Sequence, residues 1–295
     1  MKKIAVGIAI VLGFTLLQPV QAQAANESIV IVDLGFDTSI PTLKSKVIQE
    51  VCVSTISIKC SNGQSIQEGV GSATLPSRTA LSAKFVHGTQ MALIANKVNP
   101  NVNLILIRIL DEKAEGALTE ALKWSASNKT KYNIVSVSAS LTTTTGHLLP
   151  GANYCPSADP KYKDLIKNID TLISLGVPTV FPSGNGNRGN KYTNRILFPA
   201  CISQSVAVGA TTESDDVSPN HMAGDLVDFY ALAWYDTQAK RVAGTSASAV
   251  AFSAFWAKNY KGDYQSTYNY IKSIAKSANG FDTLTKVNTF VNVLG

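Results

Sequence analysis

Histidine is scarce in this chain: His87, His147 and His221 are the only three in 295 residues, and all of them precede Ser246. Cysteine is almost as rare. The four present, Cys52, Cys60, Cys155 and Cys201, show no C-x-x-C spacing and no nearby histidine, which argues against the usual zinc patterns. Charged residues make up only 16% of the chain against 45% hydrophobic, so disorder is excluded and a sizeable core is implied. The formal charge of +6 falls by two once Lys2 and Lys3 are set aside, and the other basic residues are scattered rather than striped. Nothing there points to nucleic acid. No apolar run approaches the roughly 20 residues needed to cross a bilayer.

The apolar run that does occur, residues 4–17, follows Lys2-Lys3 and precedes Ala22-Gln23-Ala24. These are the three parts of a secretory signal peptide, predicting residues 1–24 as a cleaved leader and 25–295 as one mature domain without a propeptide. The expected location is extracellular or periplasmic, with no membrane attachment after cleavage. In an exported chain four cysteines read as disulfides. Three pairings are possible; Cys52 with Cys60 and Cys155 with Cys201 are favoured, because each set lies in a loop-like context and the first closes a small local loop.

The run SIVIV at 28–32 is β-branched throughout, the pattern of a strand buried on both faces of a parallel sheet, and it ends at Asp33. Further strands are predicted at 103–110, 134–139, 177–181, 205–210 and 226–232. Helices are predicted from His87 to about 98, at 114–128, 161–175 and 246–260, and at 264–278, with an irregular polar insertion at 52–79. This alternation predicts an α/β fold: a mostly parallel sheet with right-handed crossovers and helices on both faces.

Ser246 falls between a glycine turn and the apolar stretch that follows it. A serine there has free backbone N–H groups and the positive end of a helix dipole beside it; taken alone, a plain N-cap is its commoner role. As a nucleophile it needs a base and a group to orient that base. Since every histidine comes first, the order Ser, acid, His of the α/β hydrolases is excluded, and the helices exclude the all-β chymotrypsin architecture. What remains is acid, then His, then Ser on an α/β sheet.

Three stretches resemble the signatures of subtilisin-like serine proteases, the subtilases: IVDLGFD with Asp33, HGTQMA with His87 and GTSAS with Ser246. A fourth, PSGNGN, is similar to the segment carrying that family's oxyanion asparagine, which falls on Asn185. SVSAS, with Ser138, Ala139 and Ser140, is similar to the substrate-pairing strand, and Ser183 and Gly184 precede the asparagine. The FPACISQSVAVGATT run and the cysteine-bearing insertion resemble a branch of secreted bacterial members. Departures are Gln90, Leu93, Ala231-Leu232-Ala233, Ala247, Ser248 and Val250, none of which removes a triad member.

The resemblance implies a secreted serine endopeptidase with a polypeptide substrate, expected as a monomer; without a propeptide, the mature chain is expected to fold unaided or with a separate partner, its activity restrained by export or by a separate inhibitor. It requires no cofactor. Calcium ligation by Asp37, Asp215 or Asp216 is open, with solvated loop acids the preferred reading. The rival readings are a non-catalytic secreted binding protein on the same fold, and an esterase or amidase using the same triad.

Overall fold

The computed structural model describes residues 26–75, 83–110, 115–141, 155–186, 196–238, 241–279 and 286–294. The leader predicted at 1–24 and His147 lie outside these residues. Strand β1 (Ser28–Asp33) is buried along its whole length. Ile29 and Ile31 enter one core while Val30 and Val32 enter another, so the strand separates two hydrophobic layers. That is why its sequence is apolar on both parities.

Chain order after β1 runs α1 (Pro41–Lys44), β2 (Val47–Val53), β3 (Ile66–Glu68), α2 (Ala83–Val98), β4 (Asn103–Ile109), α3 (Glu115–Ser127) and β5 (Ile134–Ala139). It continues with α4 (Lys163–Ser174), β6 (Thr179–Pro182), β7 (Val206–Thr211), β8 (Phe229–Leu232), β9 (Trp234–Asp236), β10 (Arg241–Ala243), α5 (Thr245–Lys258), α6 (Tyr264–Ile274), β11 (Lys276–Asn279) and β12 (Lys286–Phe290). The main sheet is ordered β11-β12-β8-β7-β6-β5-β1-β4-β2-β3. Its eight inner strands are parallel; β3 and β11 add antiparallel edges. The chain builds β4 and β2 on one side of β1 and β5 to β8 on the other. In such sheets the strand order reverses at a crevice over the carboxyl ends, here beside β1, and ligand sites lie there.

Helices α2 and α5 cover one face, with Phe252 and Trp256 among the fully buried side chains. Alanines at 247, 249, 251, 254 and 257 are buried along α5, and small side chains let it approach both α2 and the sheet. Ser136 of β5 and Ser253 of α5 share a buried hydrogen bond of 2.6 Å, anchoring that helix across the strand carrying Ser138. On the other face α3 and α4 pack through Leu118, Ala121 and Leu122, and Leu165, Ile169 and Leu172.

Several boundaries differ from the sequence expectation. Helix α2 begins at Ala83, so His87 lies in its second turn rather than at its start. Strand β2 went unread because Gln49 and Glu50 interrupt its apolar run; Glu50 is nevertheless buried, its Oε2 accepting from Ala73 N–H at 3.1 Å and Thr74 Oγ1 at 2.9 Å. The insertion at 52–79 contributes β3, and the last helix stops at Ile274, after which the tail adds β11 and β12.

Both favoured disulfides are present, Cys52–Cys60 and Cys155–Cys201, with Cα separations of 6.0 and 5.6 Å. The second joins positions 46 apart in sequence, tying the stretch before α4 to the segment ahead of β7. Closing such a loop restricts the unfolded chain. Replacing Cys155 and Cys201 together by serine is expected to lower unfolding free energy by about 2–5 kcal/mol, measured by urea denaturation under oxidising conditions.

Candidate active site

Asp33 ends β1 and is 2% exposed. One carboxylate oxygen, Oδ1, accepts from Leu34 N–H at 2.8 Å, which fixes the group; Oδ2 lies 2.7 Å from His87 Nδ1. An ionised carboxylate only accepts, so Nδ1 carries the proton and Nε2 presents its lone pair. The imidazole keeps 35% of its side chain exposed. Burial pulls its pKa down, but the charge of Asp33 and the hydrogen bond to it prevail and hold it above the ordinary value.

The helix reaches the strand because the residue after His87 is glycine. A Cβ on Gly88 would lie 2.4 Å from Gly35 O and 2.9 Å from Asp33 Cβ. Asp37, by contrast, bonds Ser39 through Oδ1 and stands in a local turn.

Ser246 is the second residue of α5 and is half-buried, between buried Thr245 and Ala247. In that first turn Thr245 N–H donates to Asn185 Oδ1 at 3.1 Å, while the N–H groups of Ala247 and Ser248 donate to Gly244 O. The Ser246 N–H has no acceptor among the described residues, so it is the open donor of the helix terminus.

Asn185, three residues beyond β6, is exposed. Its Oδ1 also accepts from Thr245 Oγ1 at 3.0 Å, and that hydroxyl in turn accepts from Gly184 N–H at 3.3 Å. A backbone N–H can only donate, so Oδ1 is the atom bound to Thr245 and Nδ2 is turned away from it. Thr245 thus staples the end of β6 to the start of α5. Thr245 carries no signature of its own in the sequence; its place next to Ser246 is the one signal that points to it.

The remaining sequence candidates separate. Ser138 and Ala139 are wholly buried in a strand paired with β1 and β6 and present no surface to a ligand; Ser140, just past the strand end, is half-buried. Ser183 is buried and donates through Oγ to Met222 O at 2.6 Å. Of the departures, Gln90 is buried, Leu93 joins the core between α2 and α5, and Ser248 donates to Leu232 O at 3.1 Å. These positions face the interior. His221 is paired with Asn185 by an isolated antiparallel bridge and bonds Ser218 Oγ through Nδ1 at 2.6 Å. Burial lowers its pKa. Among the described residues no three His, Cys, Asp or Glu side chains gather as a metal site, and no helix is long and apolar enough to cross a membrane.

A model of the subtilase family matches residues 24–283. The major intracellular serine protease of Bacillus subtilis (strain 168) is 25% identical over 219 residues, covering 70% of this chain and 57% of that protein. The chain therefore matches a little over half the length of that relative. Among solved structures, a protease from Pseudoalteromonas arctica PAMC 21717 superposes with a TM-score of 0.66 at 15% identity, covering 91% of this chain and 88% of the other. A cold adapted subtilisin-like serine proteinase gives 0.60 at 18% identity, with 91% and 89% covered. At these identities the structural likeness concerns the fold alone.

Proposed function

The chain belongs to the subtilase family, and from that premise we propose that it is an exported serine endopeptidase with Asp33, His87 and Ser246 as its triad and Asn185 as oxyanion donor. The observation that carries the reading is the Asp33–His87 hydrogen bond of 2.7 Å, at the same end of the sheet where Thr245 clamps Asn185 beside Ser246. Ser246 Oγ attacks the scissile carbonyl carbon while His87 Nε2 takes its proton. The C=O π pair moves onto oxygen, and the oxyanion is held by Asn185 Nδ2 and the Ser246 N–H at the positive end of α5. His87 then gives the proton to the departing amine, leaving an acyl-serine. Water, deprotonated by His87, cleaves that ester and restores the serine. Asp33 keeps the imidazole in the required tautomer and stabilises its cation throughout.

Export is supported by two disulfides in a chain with a leader-like start. The deciding experiment is labelling with a fluorophosphonate, followed by peptide mapping. A single adduct on Ser246, with casein turned over far better than short-chain esters, is the expected result; a protein that folds but takes no label would rule out the mechanism.

Activity requires a neutral His87, so it is expected to fall as pH drops through the His87 pKa, at a midpoint above 6.5. Asp33→Asn removes the raising charge against the same burial, so the midpoint is expected to fall. Imidazole NMR titration of both proteins measures this independently of turnover.

A further inference from the structure

Two short segments flank the chain at 183–185. Leu197 N–H donates to Ser183 O at 2.8 Å, and Met222 N–H donates to Gly184 O at 2.9 Å. Ile196 and Phe198 pack into the core beneath α3 and α4. Leu197, between them, is in neither core cluster although it is only 7% exposed. Its side chain is turned onto Gly184 instead. A Cβ on Gly184 would meet Leu197 Cγ and Cδ1 at 2.8 Å and Met222 Sδ at 2.9 Å, and φ of +123° there already favours glycine. An apolar wall therefore closes on the residue immediately before Asn185.

We infer that Leu197, with Met222 beside it, determines specificity for the residue whose carbonyl is attacked, restricting it to glycine, alanine or serine. The inference rests on the proposed function. With the carbonyl oxygen between Asn185 Nδ2 and the Ser246 N–H, the substrate Cα is one bond from the carbonyl carbon. Its side chain then emerges within a side-chain length of Gly184. β5 and β6 are parallel neighbours, so Ser140, just past the end of β5, lies at the same carboxyl edge of the sheet as Gly184. The isobutyl group of Leu197 takes the depth that a large substrate side chain would need. A methyl fits against it, whereas a phenyl ring would have to displace packed atoms.

The test uses internally quenched peptides differing only in alanine or phenylalanine before the scissile bond. The folded wild-type protein is expected to favour the alanine peptide by about 100-fold in kcat/KM, the scale on which a misfitting apolar group is rejected. Leu197→Gly is expected to raise phenylalanine turnover at least about 10-fold relative to alanine, with Leu197→Ala in between. Equal wild-type turnover of the two peptides overturns the inference, and that measurement does not depend on any variant folding. So does a Leu197→Gly protein that labels normally with fluorophosphonate but keeps the wild-type ratio. Absence of both label and cleavage in the wild type would overturn the proposed function and this inference with it, so labelling distinguishes the two failures.

Discussion

Ser246→Ala is expected to reduce kcat on a peptide substrate by about 10⁶-fold, a magnitude known from subtilisin itself, while leaving the urea midpoint nearly unchanged. The helix start does not depend on the hydroxyl: Asn185 and Gly244 already satisfy the neighbouring N–H groups, and Ser246 Oγ is not part of that scheme. His87→Ala is expected to cost about as much, and the double variant scarcely more, because a nucleophile without its base and a base without its nucleophile are equally idle. Active-site titration of the purified protein must precede the comparison, since a trace of wild-type enzyme would mask a loss of this size. Near wild-type turnover by Ser246→Ala would remove Ser246 from the mechanism. The residual rate should itself depend on Asn185, since oxyanion binding survives loss of the serine; in subtilisin the corresponding donor is worth about 10²–10³-fold.

The second large effect is expected at a residue that takes no part in the chemistry. Gly88→Ala would place its methyl carbon 2.4 Å from Gly35 O and 2.9 Å from Asp33 Cβ. Backbone on one side and the β1 terminus on the other cannot yield as a flexible side-chain end could, so α2 must back away from the sheet. A shift approaching 1 Å at His87 would cost about 10²-fold in kcat. The accompanying strain is about 1–3 kcal/mol, readable as a lowered urea midpoint. Loss of activity with KM little changed would separate misplacement of the base from a damaged binding cleft. If Gly88→Ala were as active as wild type, the close approach would not be what seats the imidazole.

What could be read in the sequence depended on whether a residue's role was local. The SIVIV run fixes its own conformation through β-branching, and the strand and helix alternation that follows implies the parallel sheet. Glu50 could not be read that way: a carboxylate inside a strand becomes tolerable only because Ala73 and Thr74, more than twenty positions away, supply its hydrogen bonds. Strands β11 and β12 likewise owe their existence to pairing, β12 with distant β8, and KSAN carries little strand preference of its own. At the candidate site, four short stretches pointed to Asp33, His87, Asn185 and Ser246. Only its place beside Ser246 hints at Thr245 in the sequence, and nothing there hints at Leu197; folding sets them against Asn185 and Gly184.

The clamp between Thr245 and Asn185 has a consequence for when this chain could act. Asp33 lies on the first strand and Ser246 on a helix more than two hundred residues later, so the parts of the site are synthesised far apart in time. Until α5 has emerged and docked, Asn185 has no Thr245 to orient it and the carboxyl edge of the sheet holds a base without a nucleophile. Under the proposed mechanism, truncation anywhere before α5 is expected to give an inert product, as is any opening that frees this helix. On that mechanism hydrolysis becomes a report of completed folding: a half-made chain threading through the cell has nothing with which to cut its surroundings, and the capacity arrives as a whole when α5 closes.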